Sequence, residues 1–145
     1  MAGTALALIG ISLCHQYLSG LIHTEFIHSN RGTPMARISF IELPAADLHA
    51  AKQFYTKVFA WELTDFGPSY ACTMTGDVDT GLQGDMAEAS RAPLPVIAVD
   101  DLETALAAVT SAGGIIVKPI FGFPGGRRFH FADPNGNELA VLKAD

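Results

Sequence analysis

Two stretches of this chain, FIELPAADLHAA from Phe40 to Ala51 and LPVIAVDDLETA from Leu94 to Ala105, match at a constant offset of 54 residues. Phe40 falls on Leu94, Asp47-Leu48 on Asp101-Leu102, and Ala51 on Ala105. Self-similarity at one fixed period is the mark of a duplicated structural unit. The match therefore points to a fold built from two like halves in 145 residues.

Within the first copy, RISFIEL (Arg37 to Leu43) is rich in β-formers and Pro44 ends it. Asp47 is placed to cap a helix, with Ala51, Phe54, Tyr55, Val58 and Phe59 recurring at helical spacing. Trp61 to Phe66 and Ser69 to Thr75 read as strands joined across Gly67-Pro68. A Gly76-Asp77 turn and a weaker strand over Thr80 to Met86 follow, and residues 87–93 (AEASRAP) form a linker. The second copy opens with a strand over Leu94 to Val99. Asp100 or Asp101 caps its helix, Leu102, Leu106 and Val109 form the stripe, and Gly113-Gly114 ends it. A strand over Ile115 to Ile120 leads to a terminal hairpin, GGRRFHFADPNGNELAVLKA. There Phe129 and Phe131 alternate with Arg128 and His130, so one face is apolar and the other polar. Asp133-Pro134-Asn135-Gly136 supplies the turn chemistry.

The order β-α-β-β-β twice over, with AADLHAAKQFYTKVFAW in the first unit and FADPNGNELAVL in the second, resembles the vicinal-oxygen-chelate (VOC) superfamily. That superfamily includes glyoxalase I, extradiol dioxygenases and bleomycin-resistance proteins. The resemblance implies an α+β fold of two tandem β-α-β-β-β modules whose strands form a cupped mixed sheet around a pocket. The VOC domain then spans residues 35–145, with module one over 37–86, the linker 87–93 and module two over 94–143.

Enzymes of this superfamily hold a divalent metal on the concave face, with two ligands from each module. The resemblance places three of those ligands at Phe40, Leu94 and Ala140, none of which can bind a metal, and the fourth near Gly81 to Gln83. No cofactor is therefore expected, and a divalent metal only through a non-standard site built from Glu42, Gln83, His130 and Glu138. Period-two alternation sends Ile38, Phe40 and Glu42 towards the pocket, then Leu94, Val96 and Ala98, then Glu138, Ala140 and Leu142, and finally Arg128 and His130.

Composition narrows the partners. The net charge is −6 and Arg127-Arg128 is the one adjacent basic pair, so nucleic acid is not an expected partner. Cys14 and Cys72 match neither a zinc spacing nor a disulfide framework and suit a reduced, cytoplasmic protein. Residues 1–34 read as an appended helix or as the product of a start codon placed ahead of Met35. Their apolar run, Ala5 to Cys14, is too short to cross a membrane, and no membrane is expected as partner. His23, Glu25 and His28 fall on different helical faces and do not make a metal site. A homodimer is expected, since superfamily members are commonly dimers.

Two function classes follow. In one, the cup binds a small, partly apolar molecule through Phe40, Leu94, Val96 and Ala140, with Glu42, Arg128, His130 and Glu138 orienting it. In the other, a non-standard ligand set supports a glyoxalase-like lyase, isomerase or dioxygenase. Metal-free acid–base catalysis by His130 and Glu138 is a third reading. Tyr70, Trp61 and Cys72 read as core or rim residues.

Overall fold

The computed structural model describes residues 36–123 and 126–145, so the expectations for residues 1–34 lie outside the described residues. Among the described residues, eight strands and two helices follow in the order β1 (Arg37–Pro44), α1 (Leu48–Phe59), β2 (Thr64–Asp65), β3 (Tyr70–Cys72), β4 (Asp79–Gln83), β5 (Leu94–Ala98), α2 (Leu102–Ser111), β6 (Ile115–Phe123), β7 (Gly126–Ala132) and β8 (Glu138–Ala144). All eight strands join one curved sheet, ordered β2-β3-β4-β1-β5-β8-β7-β6. This is the expected α+β architecture.

The duplication is visible in the register. Across the antiparallel β1–β5 seam, Phe40 pairs with Val96 and Glu42 with Leu94. Shifting one pair by the repeat offset of 54 residues produces the other, as two halves related by a local twofold require. The parallel pairs β1–β4 and β5–β8 answer to each other in the same way, with Gly81 opposite Glu42 and Ala140 opposite Val96.

Both helices start on an aspartate. Asp47 Oδ1 accepts from the Ala50 backbone N–H at 2.9 Å, and Asp101 Oδ1 accepts from the Thr104 N–H at 2.9 Å. Each carboxylate satisfies a donor that the helix start leaves open. Behind the sheet, α2 buries Leu102 against Phe129 and Val141. The other face gathers Phe40, Tyr70, Cys72, Leu94, Val96, Phe123, Ala140 and Leu142 into a second apolar cluster. Alternation thus separates two cores, one beneath each side of the same strands.

Two expectations are corrected, and the apolar side of α1 stands exposed: Phe54 is 57% exposed, Val58 53% and Phe59 58%. The strand expected over Trp61 to Phe66 shrinks to Thr64–Asp65, because Trp61 instead stacks on Tyr55 of α1 with ring centroids 4.8 Å apart. Ile38 and Ala98, expected to face the cup, are exposed at the frayed end of the β1–β5 seam, where a bulge between Ile38 and Phe40 breaks the register.

Candidate ligand-binding site

One cross-sheet row crosses the cup from wall to wall: Asp79, Phe40, Val96, Ala140 and His130 lie side by side on β4, β1, β5, β8 and β7. Leu94 and Leu142 flank it within the same apolar cluster. Polar groups enter this apolar lining at named points. Glu42, Arg128 and His130 are all buried, as is Tyr70 from β3. The site residues expected on the inner face therefore stand together there, except Glu138, which is half-buried at its edge.

Arg128 reaches from module two to module one. Its Nη1 lies 3.8 Å from Glu42 Oε2, too far for a hydrogen bond, although both side chains are almost fully withdrawn from water. Its guanidinium also stands over the Phe121 and Phe123 rings, 5.3 and 5.6 Å from their centroids. Burial pushes the Glu42 carboxyl above the usual range, against the opposing pull of Arg128. Burial likewise holds the Tyr70 phenol well above its ordinary value, with the Glu42 charge adding to the effect. The Tyr70 hydroxyl sits beside that carboxyl without completing a hydrogen bond.

His130 differs in having a partner. Its Nδ1 is 2.8 Å from Glu138 Oε1. A carboxylate only accepts, so the proton of the neutral ring sits on Nδ1 and Nε2 is bare. Burial lowers the His130 pKa to about 4; the Glu138 hydrogen bond opposes this, and the charges of Arg128 and Lys118 reinforce it. His130 Nε2, Arg128 Nε, the Tyr70 hydroxyl and both Glu42 oxygens are buried with no hydrogen-bond partner. Native interiors satisfy nearly all such atoms, so this concentration on one face marks a site.

The donor set does not fit the divalent metal that the superfamily implies. Phe40, Leu94 and Ala140 bring only hydrocarbon. The register assigns the fourth position to Gly81, the counterpart of Ala140, and a Cβ there would lie 2.7 Å from Phe40 Cζ. The non-standard set does not converge either. Glu42 faces Arg128, and Gln83 Oε1 accepts from the Asp85 backbone N–H at 2.9 Å; His130 and Glu138 alone meet. Among the described residues no three His, Cys, Asp or Glu side chains cluster as ligands would.

One feature escaped the sequence reading. Tyr70 was expected in the core or rim, and its hydroxyl belongs to the site because β3 adjoins β4 behind Gly81. The expectation for the cysteine pair involves Cys14, which lies outside the described residues. No described helix is long and apolar enough to cross a membrane.

The sequence model of the Glyoxalase/Bleomycin resistance protein/Dioxygenase superfamily matches residues 37–141. The chain belongs to this superfamily. Its relative in Mycobacterium tuberculosis named "Putative glyoxylase CFP32" is 29% identical over 126 residues, covering 79% of this chain and 47% of that protein. The chain thus spans about half the length of the curated relatives it matches. Among solved structures, a superfamily member from Vibrio splendidus superposes with a TM-score of 0.56 at 15% identity, over 77% of this chain and 100% of that one. The Mn(II)-bound glyoxalase from Novosphingobium aromaticivorans gives 0.53 at 22%, over 75% of this chain and 40% of that one. Likenesses this distant establish the superfamily fold and nothing of its chemistry.

Proposed function

We propose that this superfamily member binds a small, partly apolar molecule in its cup, with an oxygen-bearing anionic head set against Arg128. The observation that carries this reading is the set of buried, unpartnered polar atoms of Glu42, Tyr70, Arg128 and His130 on an otherwise apolar wall. A ligand supplying the missing partners removes their desolvation cost. Arg128 Nε is buried without a hydrogen-bond partner, and the guanidinium fork suits a carboxylate or a similar anion. Phe40, Leu94, Val96 and Ala140 would cover the apolar part.

Thermal melting with acetate, benzoate and phenylpyruvate tests this. The melting temperature should rise with the two aromatic acids, by the equivalent of about 2.7 kcal/mol at a hundredfold excess over Kd. Arg128→Gln should lose the rise, and an equal rise in both proteins would refute the assignment. A metal-dependent glyoxalase-like lyase or isomerase, or a dioxygenase, is the second reading, favoured by the name of the mycobacterial relative. A melting shift with Zn²⁺ or Mn²⁺ that Glu138→Ala abolishes would put that reading first.

A further inference from the structure

The opposite charges buried in the cup face each other without being satisfied. Glu42 and Arg128 stand 3.8 Å apart with 2% and 5% of their side chains exposed, and neither Glu42 oxygen nor Arg128 Nε has a hydrogen-bond partner. Tyr70 adds a third open group. Its ring crosses Gly81, where a Cβ would collide with the phenol oxygen, so the glycine leaves room for the hydroxyl to stand beside the Glu42 carboxyl. A carboxylate, a phenol and a guanidinium thus present open hydrogen-bonding atoms of both kinds, acceptors and donors, at one place on an apolar wall.

We infer that the cup takes a free α-amino acid with an apolar side chain, its carboxylate on Arg128 and its ammonium on Glu42 and the Tyr70 hydroxyl. This rests on the ligand-binding reading above and names the head group of the ligand. An α-amino acid carries both charges on one carbon, so it can lie head to tail along the Glu42–Arg128 pair. Its carboxylate accepts from the guanidinium, and its ammonium donates to the carboxylate and phenol oxygens that now lack a donor. Phe40, Leu94, Val96 and Leu142 offer the hydrocarbon surface for its side chain.

Charge balance decides among the possible head groups. Glu42 and Arg128 already oppose each other out of water. A simple carboxylate set on Arg128 would bring a second negative charge up to Glu42 in a poorly solvating interior, which favours uptake of a proton on binding. A simple amine would leave an excess positive charge there. A zwitterion adds no net charge and brings each of its own charges to its opposite. Besides Arg128, the charges acting on Glu42 are those of Lys118 and Glu88, and Tyr70 is the titratable group that stands against it. His130, with its pKa lowered to about 4, adds no charge at neutral pH. The burial that raises the Glu42 pKa is therefore offset by an ammonium and made worse by a lone anion.

Isothermal titration of the full chain with L-phenylalanine, 3-phenylpropionate and 2-phenylethylamine compares ligands that share a ring and a two-carbon chain and differ in the head. At pH 7 L-phenylalanine is expected to bind at least about tenfold more tightly than either of the others. Its binding heat should be the same in buffers of different ionisation enthalpy, because no proton is exchanged. Glu42→Gln should remove the preference, weakening L-phenylalanine and strengthening 3-phenylpropionate. If 3-phenylpropionate or phenylpyruvate binds as tightly as L-phenylalanine, or if L-phenylalanine binds with proton uptake, the inference is overturned and the ligand-binding reading stands. If the amine binds most tightly, or none of these molecules binds, both are overturned. The comparison of ligands and buffers uses the unaltered protein, so it decides the matter whether or not Glu42→Gln folds.

Discussion

Glu42 and Arg128 bring opposite charges into one dry interior and stop 3.8 Å apart. Ion pairs of this kind recover little of their desolvation cost, so their removal separates stability from function. Glu42→Leu with Arg128→Met is expected to melt at or above the temperature of the unaltered protein, while Arg128→Met alone loses about 3–5 kcal/mol, as denaturant titration would show. Two other residues set the acid limit of stability. The His130 pKa is depressed to about 4, so the unfolded chain takes up a proton below about 6.5 that the folded chain refuses. Stability should therefore fall as pH drops from about 6.5 to 4, and His130→Gln should flatten that limb in melting curves. Asp79 acts lower. Thr73 Oγ1, the Thr75 N–H and Oγ1, and the Gly76 N–H all donate to its carboxylate, holding its pKa down against the effect of burial. Its contribution is present above about 3.8 and is lost as pH falls through the lower folded value. The inward direction of Arg128 and His130 was legible from alternation alone. Asp79 was not, because its partners lie in a loop whose path no periodicity encodes.

The helices and turns followed local chemistry where local chemistry was sufficient. Asp47 and Asp101 cap as their positions suggested. In the β7–β8 turn, Asp133 accepts from the Asn135 and Asn137 backbone N–H groups at 2.8 and 2.9 Å, and Gly136 takes φ +85°. The far end of α1 was less legible. Ala60 ends the helix at φ +55°, ψ +32°, a left-handed conformation that glycine adopts without steric cost. Ala60→Gly should stabilise the protein by about 1 kcal/mol in denaturant titration, an unusual outcome for a change to glycine. The apolar spacing of Phe54, Val58 and Phe59 correctly announced a helix but not which side would be covered. Helical periodicity shows that an apolar face exists; the neighbouring elements decide whether it is buried.

At the scale of the molecule, β1 and β5 pair along the seam and merge two modules into one sheet. Shared strands and a cup cluster drawn from both halves should make unfolding cooperative. Fluorescence of Trp61, the one tryptophan and part of module one, is expected to report the same urea midpoint as far-UV circular dichroism. Two separated midpoints would show that the modules unfold independently. Sequence by itself determined the repeat, the cap residues, the period-two division of each strand and hence the superfamily fold. These are all encoded within a few residues or at one fixed offset. Only the tertiary structure decided that Tyr70 joins Glu42, that Arg128 spans the modules, that Glu138 partners His130, and that α1 leaves its apolar face exposed. Each depends on sheet curvature and on strand neighbours far apart in the chain. Alternation can point a side chain to a face, but only the folded register can say what it meets there.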